Sequence, residues 1–245
     1  MTENPYETRL YLDEYLLLHY GRPRGICPFG FIRPDLLRFH ERLRRECLLP
    51  MRAPGPTRAL DIGCGVGRFT FELGRVANRA LGLDNSQRFI AAARRMARDG
   101  AVTVRVGESG GQLVTRSLSL PRALRSSQVE FEVGDALDLG ALPEGAFQVV
   151  AAINLLCRLG APRRFLQQAP RLVAPGGQLL IASPHSWLEQ YTPRREWLSS
   201  REVRRLLSPH FALRRRRDLP LVIREHRRKY ELVVAEVLVF ERATD

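Results

Sequence analysis

Two acidic residues and a set of closely spaced glycines are the part of this sequence best suited to hold a small ligand. Asp61 is followed by Gly63, Gly65 and Gly67, and Asp84 comes roughly 20 residues later. Glycine lets the backbone approach a ligand closely, and a helix that starts there directs its N–H groups to the same point. An acid at the position of Asp84 can accept hydrogen bonds from ribose hydroxyls. These residues therefore predict the binding of a nucleoside.

The spacing of the glycines discriminates between nucleoside ligands. Dinucleotide-binding turns have the pattern G-x-G-x-x-G, but here the third glycine comes one residue early and Arg68 takes the final position. The pattern favours an adenosine group that carries no phosphates. Cys64, inside the turn, is interpreted as a small space-filling residue rather than a nucleophile.

Secondary structure must bring these residues together. The apolar run 59–62 predicts a buried strand before the glycine turn, and residues 68–76 predict a helix after it. Residues 79–83 predict a second strand that ends at Asp84. Residues 86–98 are amphipathic and predict a helix that Ser86 caps.

Further along the chain, two more predicted strands end in polar residues. Strand 129–133 leads into Gly134, Asp135 and Ala136, where a carboxylate can accept a hydrogen bond from the amine of an adenine ring and the Ala136 amide can donate to a ring nitrogen. Strand 147–153 places Asn154 at its carboxyl end. Open α/β sheets have their ligand sites at that edge.

The stretches L-D-I-G-C-G-V-G, L-G-L-D-N-S and G-D-A resemble the nucleotide-binding half of class I methyltransferases, which bind S-adenosylmethionine and release S-adenosylhomocysteine. The resemblance implies a Rossmann-like α/β fold. The cofactor-binding residues that it implies are Asp61, Gly63, Cys64, Gly65, Asp84, Asn85, Gly134, Asp135, Ala136 and Asn154.

The remaining sequence completes the predicted sheet. Helices are expected at 162–172 and 199–207, a tight turn at 175–177, and strands at 178–183, 211–217 and 231–241. With the four strands above, this gives a seven-stranded, mostly parallel sheet with an antiparallel last strand and helices on both faces. Residues 102–120 predict an inserted hairpin, within an insert at about 101–127, to which we assign no chemistry.

Residues 1–56 are predicted to form an N-terminal helical cap or lid over a methyltransferase domain at 57–245. The cap would contain a helix at 4–20, capped at Asn4 or Thr8, a loop at 21–30, a helix at 33–47 and a proline-rich join at 53–56. Aromatic residues of the first helix would either line the mouth of the site or pack in the core; these are Tyr6, Tyr11, Tyr15, His19 and Tyr20.

Composition limits the other possibilities. The 245 residues carry a net charge of +13, which would suit nucleic acid, but the excess is arginine spread along the chain and interleaved with Glu. In the predicted strand 211–217, Arg214 to Arg217 alternate between faces and cannot all serve one patch. The four cysteines are scattered and indicate neither disulfides nor zinc, and no apolar run is long enough to span a membrane. Residues 1–9 have no signal-peptide layout, so we expect a cytoplasmic protein.

Longer stretches resemble one narrow family, the 4-mercaptohistidine N1-methyltransferases of ovothiol biosynthesis. The matching segments cover nearly the whole chain and lie at residues 6–21, 60–73, 129–136, 154–159, 183–198 and 223–230. The last two, S-P-H-S-W-L-E-Q-Y-T-P-R-R-E-W-L and I-R-E-H-R-R-K-Y, are not general to class I methyltransferases. Asn85 and His185 depart from the family's usual spelling and leave room for an altered substrate.

This resemblance implies that the acceptor is a thiolated histidine (4-mercaptohistidine, or 5-thiohistidine), methylated on a ring nitrogen without a metal. His226 is the expected general base and His19 the second candidate, with Asn154 beside them. Arg224, in a turn before the last strand, would hold the substrate carboxylate. The substrate-binding residues that we predict are Tyr6, Tyr15, His19, Arg158, Tyr191, Arg224 and His226.

The same resemblance implies a partner in the pathway, a separate sulfoxide synthase, since this chain resembles a stand-alone version of a module that is fused behind that enzyme elsewhere. Two alternatives stay open, namely methylation of another small molecule, RNA or protein, and a non-catalytic binding subunit. A continuous groove of basic residues outside the pocket would favour RNA. The sequence leaves the oligomeric state open.

Overall fold

The structure, a computed structural model, describes residues 5–51, 55–125 and 128–244. Asn4, one of the two predicted cap positions, and part of the predicted join at 53–56 lie outside these ranges. In chain order the helices are α1 (Arg9–Tyr20), α2 (Pro23–Ile26), α3 (Phe39–Arg42), α4 (Arg68–Leu73), α5 (Gln87–Asp99), α6 (Pro162–Leu172) and α7 (Ser200–Leu207). The strands are β1 (Arg58–Ile62), β2 (Arg79–Asp84), β3 (Ala101–Gly107), β4 (Leu113–Ser119), β5 (Val129–Val133), β6 (Phe147–Ile153), β7 (Val173–Ser183), β8 (Phe211–His226) and β9 (Lys229–Arg242).

All of these strands join one sheet in the order β4-β3-β8-β9-β7-β6-β1-β2-β5. The five strands from β7 to β5 are parallel, and β9 runs antiparallel to β7. This confirms the predicted Rossmann-like α/β fold, with a mostly parallel sheet and an antiparallel last strand. Because parallel strands end at one edge, the residues after β1, β2, β5 and β6 lie close together.

The inserted hairpin is also confirmed, since β3 and β4 pair from Ala101 opposite Ser119 to Gly107 opposite Leu113. It continues the sheet beyond the seven predicted strands through a single register pair between Gly107 and His226 of β8. The insert therefore extends the main sheet from seven strands to nine.

The last two strands are longer than their sequence predicts. β8 and β9 pair from Phe211 opposite Arg242 to His226 opposite Lys229, which leaves only Arg227 and Arg228 in the turn. The predicted turn at 223–230 is therefore wrong for most of its length. The pairing is non-local, and its gain outweighs the weak strand preference of the arginines and of Pro220. β7 likewise starts at Val173, before the turn predicted at 175–177.

The N-terminal segment differs from prediction in its details. The Thr8 hydroxyl caps α1 by accepting from the Tyr11 amide, as predicted. The predicted loop 21–30 contains the short helix α2, which starts at Pro23 and buries Ile26. The predicted helix 33–47 is instead a 3₁₀ turn (Pro34–Leu37), α3 and a π-helical turn (Leu43–Cys47).

One hydrophobic core includes this N-terminal segment and one face of the sheet. Leu12, Leu16, Leu17 and Tyr20 of α1 belong to the same buried cluster as residues of α4, α5 and β8. The Tyr20 hydroxyl also donates to the Val66 carbonyl at 2.6 Å. Helices α6 and α7 cover the opposite face. Hence α1 is packed as a fixed wall of the fold.

No helix among the residues described is long and apolar enough to cross a membrane.

Candidate active site

A cavity of about 660 Å³ lies at the carboxyl edge of the parallel strands, within the range of about 300 to 1,000 Å³ for small-molecule sites. The loops after β1, β2, β5 and β6 form one side, and α1 with the β8–β9 ribbon forms the other. The predicted cofactor residues all line it: Asp61, Gly63, Cys64, Gly65, Asp84, Asn85, Gly134, Asp135, Ala136 and Asn154.

The glycine turn after β1 has a backbone that other residues rarely adopt. Gly63, Gly65 and Gly67 have φ angles of +72°, +57° and +89°. A Cβ on Gly67 would lie 2.5 Å from the Phe131 ring. A Cβ on Gly63 would lie 2.7 Å from the Leu155 side chain, so Gly63 and Gly67 are both required for packing, whereas one on Gly65 would lie in ordinary contact with His19, at 3.4 Å.

Asp61 is buried beneath this turn with one oxygen unsatisfied. Its Oδ2 accepts a hydrogen bond from the Thr70 hydroxyl at 2.7 Å, whereas its Oδ1 is buried without a partner among the described residues. Burial raises the pKa of the Asp61 carboxyl to about 7, and the nearby Asp84 charge adds to the effect. A buried oxygen without a donor indicates a ligand that supplies one.

Asp84 connects the turn to the next helix. Its Oδ2 accepts from the Gly65 amide and its Oδ1 from the Ser86 amide, both at 2.9 Å. Burial raises the pKa of this carboxyl too. Since each carboxylate oxygen has more than one lone pair, both can still accept bonds from ribose hydroxyls.

Asn154, directly after β6, has strained backbone geometry. Its φ is 54°, in the left-handed region that non-glycine residues seldom occupy. The Asn154 amide donates to the Ala182 carbonyl at 2.8 Å, and its side-chain Oδ1 is buried without a partner among the described residues. Strain together with an unsatisfied oxygen is typical of a functional position.

Aromatic rings form part of the cavity wall. The ring of Tyr6 lies 5.8 Å from Tyr11, 5.9 Å from Tyr15 and 6.3 Å from Tyr191, measured between centroids, and all four line the cavity. Tyr20, the other tyrosine of α1, is buried in the core instead. Tyr6, Tyr11 and Tyr15 therefore line the site, whereas Tyr20 packs in the core.

Arg158 is the only Arg or Lys that lines this cavity among the described residues. Its Nε donates to the Tyr6 hydroxyl at 3.2 Å, and its Nη1 donates to the Cys157 and Ser186 carbonyls, each at 3.0 Å. The guanidinium lies 5.2 Å from the Tyr191 ring centroid. No carboxylate of the described residues forms an ion pair with it, so its charge is available to an anionic ligand.

Two buried histidines, His19 and His40, face the cavity with ring centroids 4.2 Å apart. Burial, with a contribution from Arg68, lowers the pKa of His19 to about 3, and burial and His19 lower that of His40. The Arg68 amide donates to Nδ1 of His19 at 3.4 Å. His19 is consequently a neutral ring and a weak base. Sequence reasoning missed His40, because nothing local in that segment predicts that it meets His19.

The structure contradicts the roles predicted for Arg224 and His226, neither of which lines the cavity. Arg224 is buried and donates to the Gly25 and Gly107 carbonyls and to Glu108, with which it forms an ion pair at 3.0 Å. Successive residues of a strand face opposite sides. Ile223 therefore faces the cavity, and Arg224 faces the N-terminal segment and the hairpin.

Glu231 lines the cavity and was not predicted. It is the register partner of Ile223 across the β8–β9 ribbon, so both residues belong to the face that meets the cavity. His185, one of the two departures from the family pattern, is turned away, with Nε2 at 3.0 Å from Glu236. Asn85, the other departure, lines the cavity.

Arginines outside the cavity are engaged on different sides of the sheet. Arg214 and Arg216 pair with Glu241 and Glu236, each at 2.6 Å. Arg215 points the other way and donates to the Glu46 carbonyl at 2.8 Å. This confirms that the arginines of this strand serve more than one face.

Metal-binding and disulfide chemistry find no support in the described part of the chain. No group of three or more His, Cys, Asp or Glu side chains there could hold a metal ion. Cys27, Cys47, Cys64 and Cys157 are buried free thiols.

Comparison with known proteins agrees with the cofactor motif. Residues 60–181 match the family described as "Methyltransferase domain". Ajmaline N-methyltransferase of Rauvolfia serpentina is 26% identical over 176 residues, which are 69% of this chain and 51% of that protein. The chain spans about half the length or less of the curated relatives it matches.

Solved structures show the same fold. The N-methyltransferase NodS from Bradyrhizobium japonicum, in complex with S-adenosyl-L-homocysteine, has a TM-score of 0.56 at 18% identity and covers 96% of this chain and 99% of its own. The cyclase SpnF has a TM-score of 0.62 at 16% identity and covers 98% and 96%. Because a cyclase shares this fold, the fold alone does not identify the reaction, which depends on the residues of the site.

Proposed function

We propose that this protein, whose residues 60–181 match the methyltransferase domain family, transfers a methyl group from S-adenosylmethionine to a ring nitrogen of a thiolated histidine. The observation that carries the proposal is the unpaired Arg158 guanidinium, held beside the strained Asn154 in an aromatic-walled cavity next to the nucleoside motif.

S-adenosylmethionine is the cofactor of this domain, and the residues present fit it. The unsatisfied Asp61 Oδ1 suits the ammonium of its amino-acid part, Asp84 suits the ribose hydroxyls, and Asp135 with Ala136 suits the adenine. When bound, the cofactor supplies a methyl group on a positively charged sulfur, which becomes a thioether after transfer.

On the acceptor side, Arg158 would hold the thiolate. A guanidinium binds an anion through directed N–H bonds, and the carbonyls around Arg158 fix its orientation. Tyr6, Tyr15 and Tyr191 would stack around the imidazole ring. Asn154 Oδ1 would accept a ring N–H and thereby orient the other nitrogen towards the methyl group.

Positioning supplies most of the catalysis in this proposal, since holding two reactants in a near-attack geometry can contribute about 7 to 11 kcal/mol. His19 is too weak a base to take the ring proton at neutral pH, given its pKa of about 3. The proton would therefore leave to solvent, and His19 would act as a hydrogen-bond donor in the wall. Neither His19 nor His226, the two bases that the sequence suggested, has that role in this proposal.

Two observations weigh against the alternatives. A nucleic-acid substrate would require basic residues around the cavity, yet Arg158 is the only Arg or Lys lining it among the described residues, and Arg214 and Arg216 are paired with acids. A subunit that only binds the cofactor would not require the unsatisfied Asn154 oxygen on the acceptor side. Ajmaline N-methyltransferase, by its name, acts on nitrogen in a small molecule, which supports the same class of acceptor.

The test is a methyl-transfer assay with thiohistidine, histidine and total RNA as separate acceptors. We expect turnover with thiohistidine and at least about tenfold less with histidine, which lacks the charged partner for Arg158. Arg158→Gln should raise the KM for thiohistidine by about 10- to 100-fold, the loss of one charged hydrogen-bonding group.

Arg194→Gln is the matched control, because Arg194 also stacks on an aromatic ring, that of Trp197, but lies outside the cavity. It should leave the KM unchanged. Methylation of RNA in preference to both imidazoles, or equal KM values for the parent and Arg158→Gln, would contradict the proposal.

A further inference from the structure

One stretch of the β8–β9 ribbon lines the cavity, and this stretch contains a single charge. Leu221 and Ile223 of β8 and Val233 of β9 line the cavity together with Glu231. These residues are register partners in two pairs, Leu221 with Val233 and Ile223 with Glu231, which places all four on the same face of the ribbon. Glu231 is thus the one acid of an otherwise apolar wall.

Glu225 and, to a smaller extent, Glu231 raise the pKa of Lys229, so the Glu231 carboxylate lies within electrostatic range of that cation without contacting it among the described residues. No described residue donates a hydrogen bond to the Glu231 carboxylate or forms an ion pair with it, and the nearby Lys229 pairs with Glu225 at 2.7 Å. The other carboxylates that line the cavity each accept a bond from this chain. Asp61 accepts from Thr70, Asp84 from the Gly65 and Ser86 amides, and Asp135 from the Leu137 amide at 2.8 Å.

From these contacts we infer that Glu231 binds the α-ammonium group of the acceptor and selects acceptors that carry a free amine. The inference rests on the proposed function and extends it. Glu231 is exposed to solvent and lines the cavity, so its carboxylate can form a charge-assisted hydrogen bond with a cation that enters from solvent. A small acceptor with an amine gains this contact, whereas a neutral amide in its place gains no ion pair.

The positions of Arg158 and Glu231 favour an acceptor that carries both an anionic and a cationic group. Arg158 follows β6 and Glu231 is the third residue of β9, and β7 lies between these two strands in the sheet. An anionic group at Arg158 and a cationic group at Glu231 would be held by different elements, which fixes the direction in which the acceptor lies. When both charged groups of the acceptor are bound, its flat ring lies between them and packs against the tyrosines.

The experiment compares two acceptors, thiohistidine and Nα-acetylthiohistidine, in the parent and in Glu231→Gln. We expect acetylation to lower kcat/KM at least about tenfold in the parent, through KM. In Glu231→Gln the two acceptors should differ by less than about threefold, because the activity with thiohistidine has fallen to the level of the acetylated compound. Calorimetry with S-adenosylhomocysteine present should give the same pattern in the dissociation constants.

Glu225→Gln is the matched control, since it removes a carboxylate from the same ribbon at a position outside the cavity. It should discriminate between the acceptors as the parent does. If the parent accepts thiohistidine and Glu231→Gln still discriminates against acetylation tenfold, the inference is wrong while the proposed function stands. If the parent neither binds nor methylates any thiolated histidine, the proposed function is wrong and the inference falls with it.

Discussion

Replacing Asp61 by Asn removes a buried charge while it keeps the size of the side chain and the hydrogen bond to Thr70. The parent carboxyl is only 1% exposed, and its pKa is raised from 3.8 to about 7. A carboxyl whose pKa is higher in the folded protein binds more protons there than in the unfolded chain. Its ionisation therefore lowers stability as the pH rises from about 4 to about 7.

The difference between these two pKa values corresponds to roughly 4 kcal/mol of folding free energy at pH 8, where Asp61 is ionised in both states. We expect Asp61→Asn, without cofactor, to be more stable than the parent by up to this amount. At pH 5 the folded parent is protonated, so the advantage should shrink to less than about 2 kcal/mol.

Urea unfolding of both proteins at pH 5 and pH 8 measures this difference, and comparison at each pH cancels the other titrating groups. Asp135→Asn, which changes an exposed carboxylate at the same sheet edge, is the control and should alter stability by less than about 0.5 kcal/mol. Asp61→Asn should also bind S-adenosylmethionine about 1 to 3 kcal/mol more weakly. An advantage of equal size at both pH values, or a less stable variant at pH 8, would refute the argument from burial.

Two further predictions concern residues at the ends of β2 and β8. Asp84→Ala should weaken the binding of S-adenosylhomocysteine by about 1 to 3 kcal/mol in calorimetry, because it removes the acceptors for ribose and for the Gly65 amide; unchanged affinity would exclude the ribose contact. Arg224→Ala should lower the free energy of unfolding by about 1 to 3 kcal/mol, because the Gly25 and Gly107 carbonyls lose their donor and Glu108 loses one of its ion pairs, and should leave the KM for thiohistidine unchanged. A raised KM together with the stability of the parent would instead support the prediction that Arg224 holds the substrate carboxylate.

Features set by short-range patterns could be predicted well. The cap of α5 at Ser86 and the hairpin of β3 and β4 were located from a few neighbouring residues each. The cofactor side of the site follows the same rule, because the glycine turn and Asp84 each sit at the end of a strand. The carboxyl ends of parallel strands lie at one edge of the sheet, so the strand pattern alone predicts that these residues are close together.

The acceptor side was predicted less well, since its residues come from distant segments. Tyr6 and Arg158 were expected in the cavity and lie there, 3.2 Å apart. His40 and Glu231 were missed. Their approach depends on how the N-terminal segment and the ribbon pack, which no local pattern encodes.

Local patterns are enough to locate the nucleoside-binding edge, because a strand, its glycine turn and the following acid are contiguous or one element apart. Which side of the β8–β9 ribbon faces the cavity depends instead on long-range packing. Side chains of a strand alternate between its two faces, and the phase of this alternation depends on the pairing of β8 with β9 and on the hairpin, whose Gly107 is the register partner of His226. That phase turns Ile223 and Glu231 towards the cavity and Arg224 towards Glu108, so the charge that serves the acceptor belongs to a different residue from the one the motif suggests.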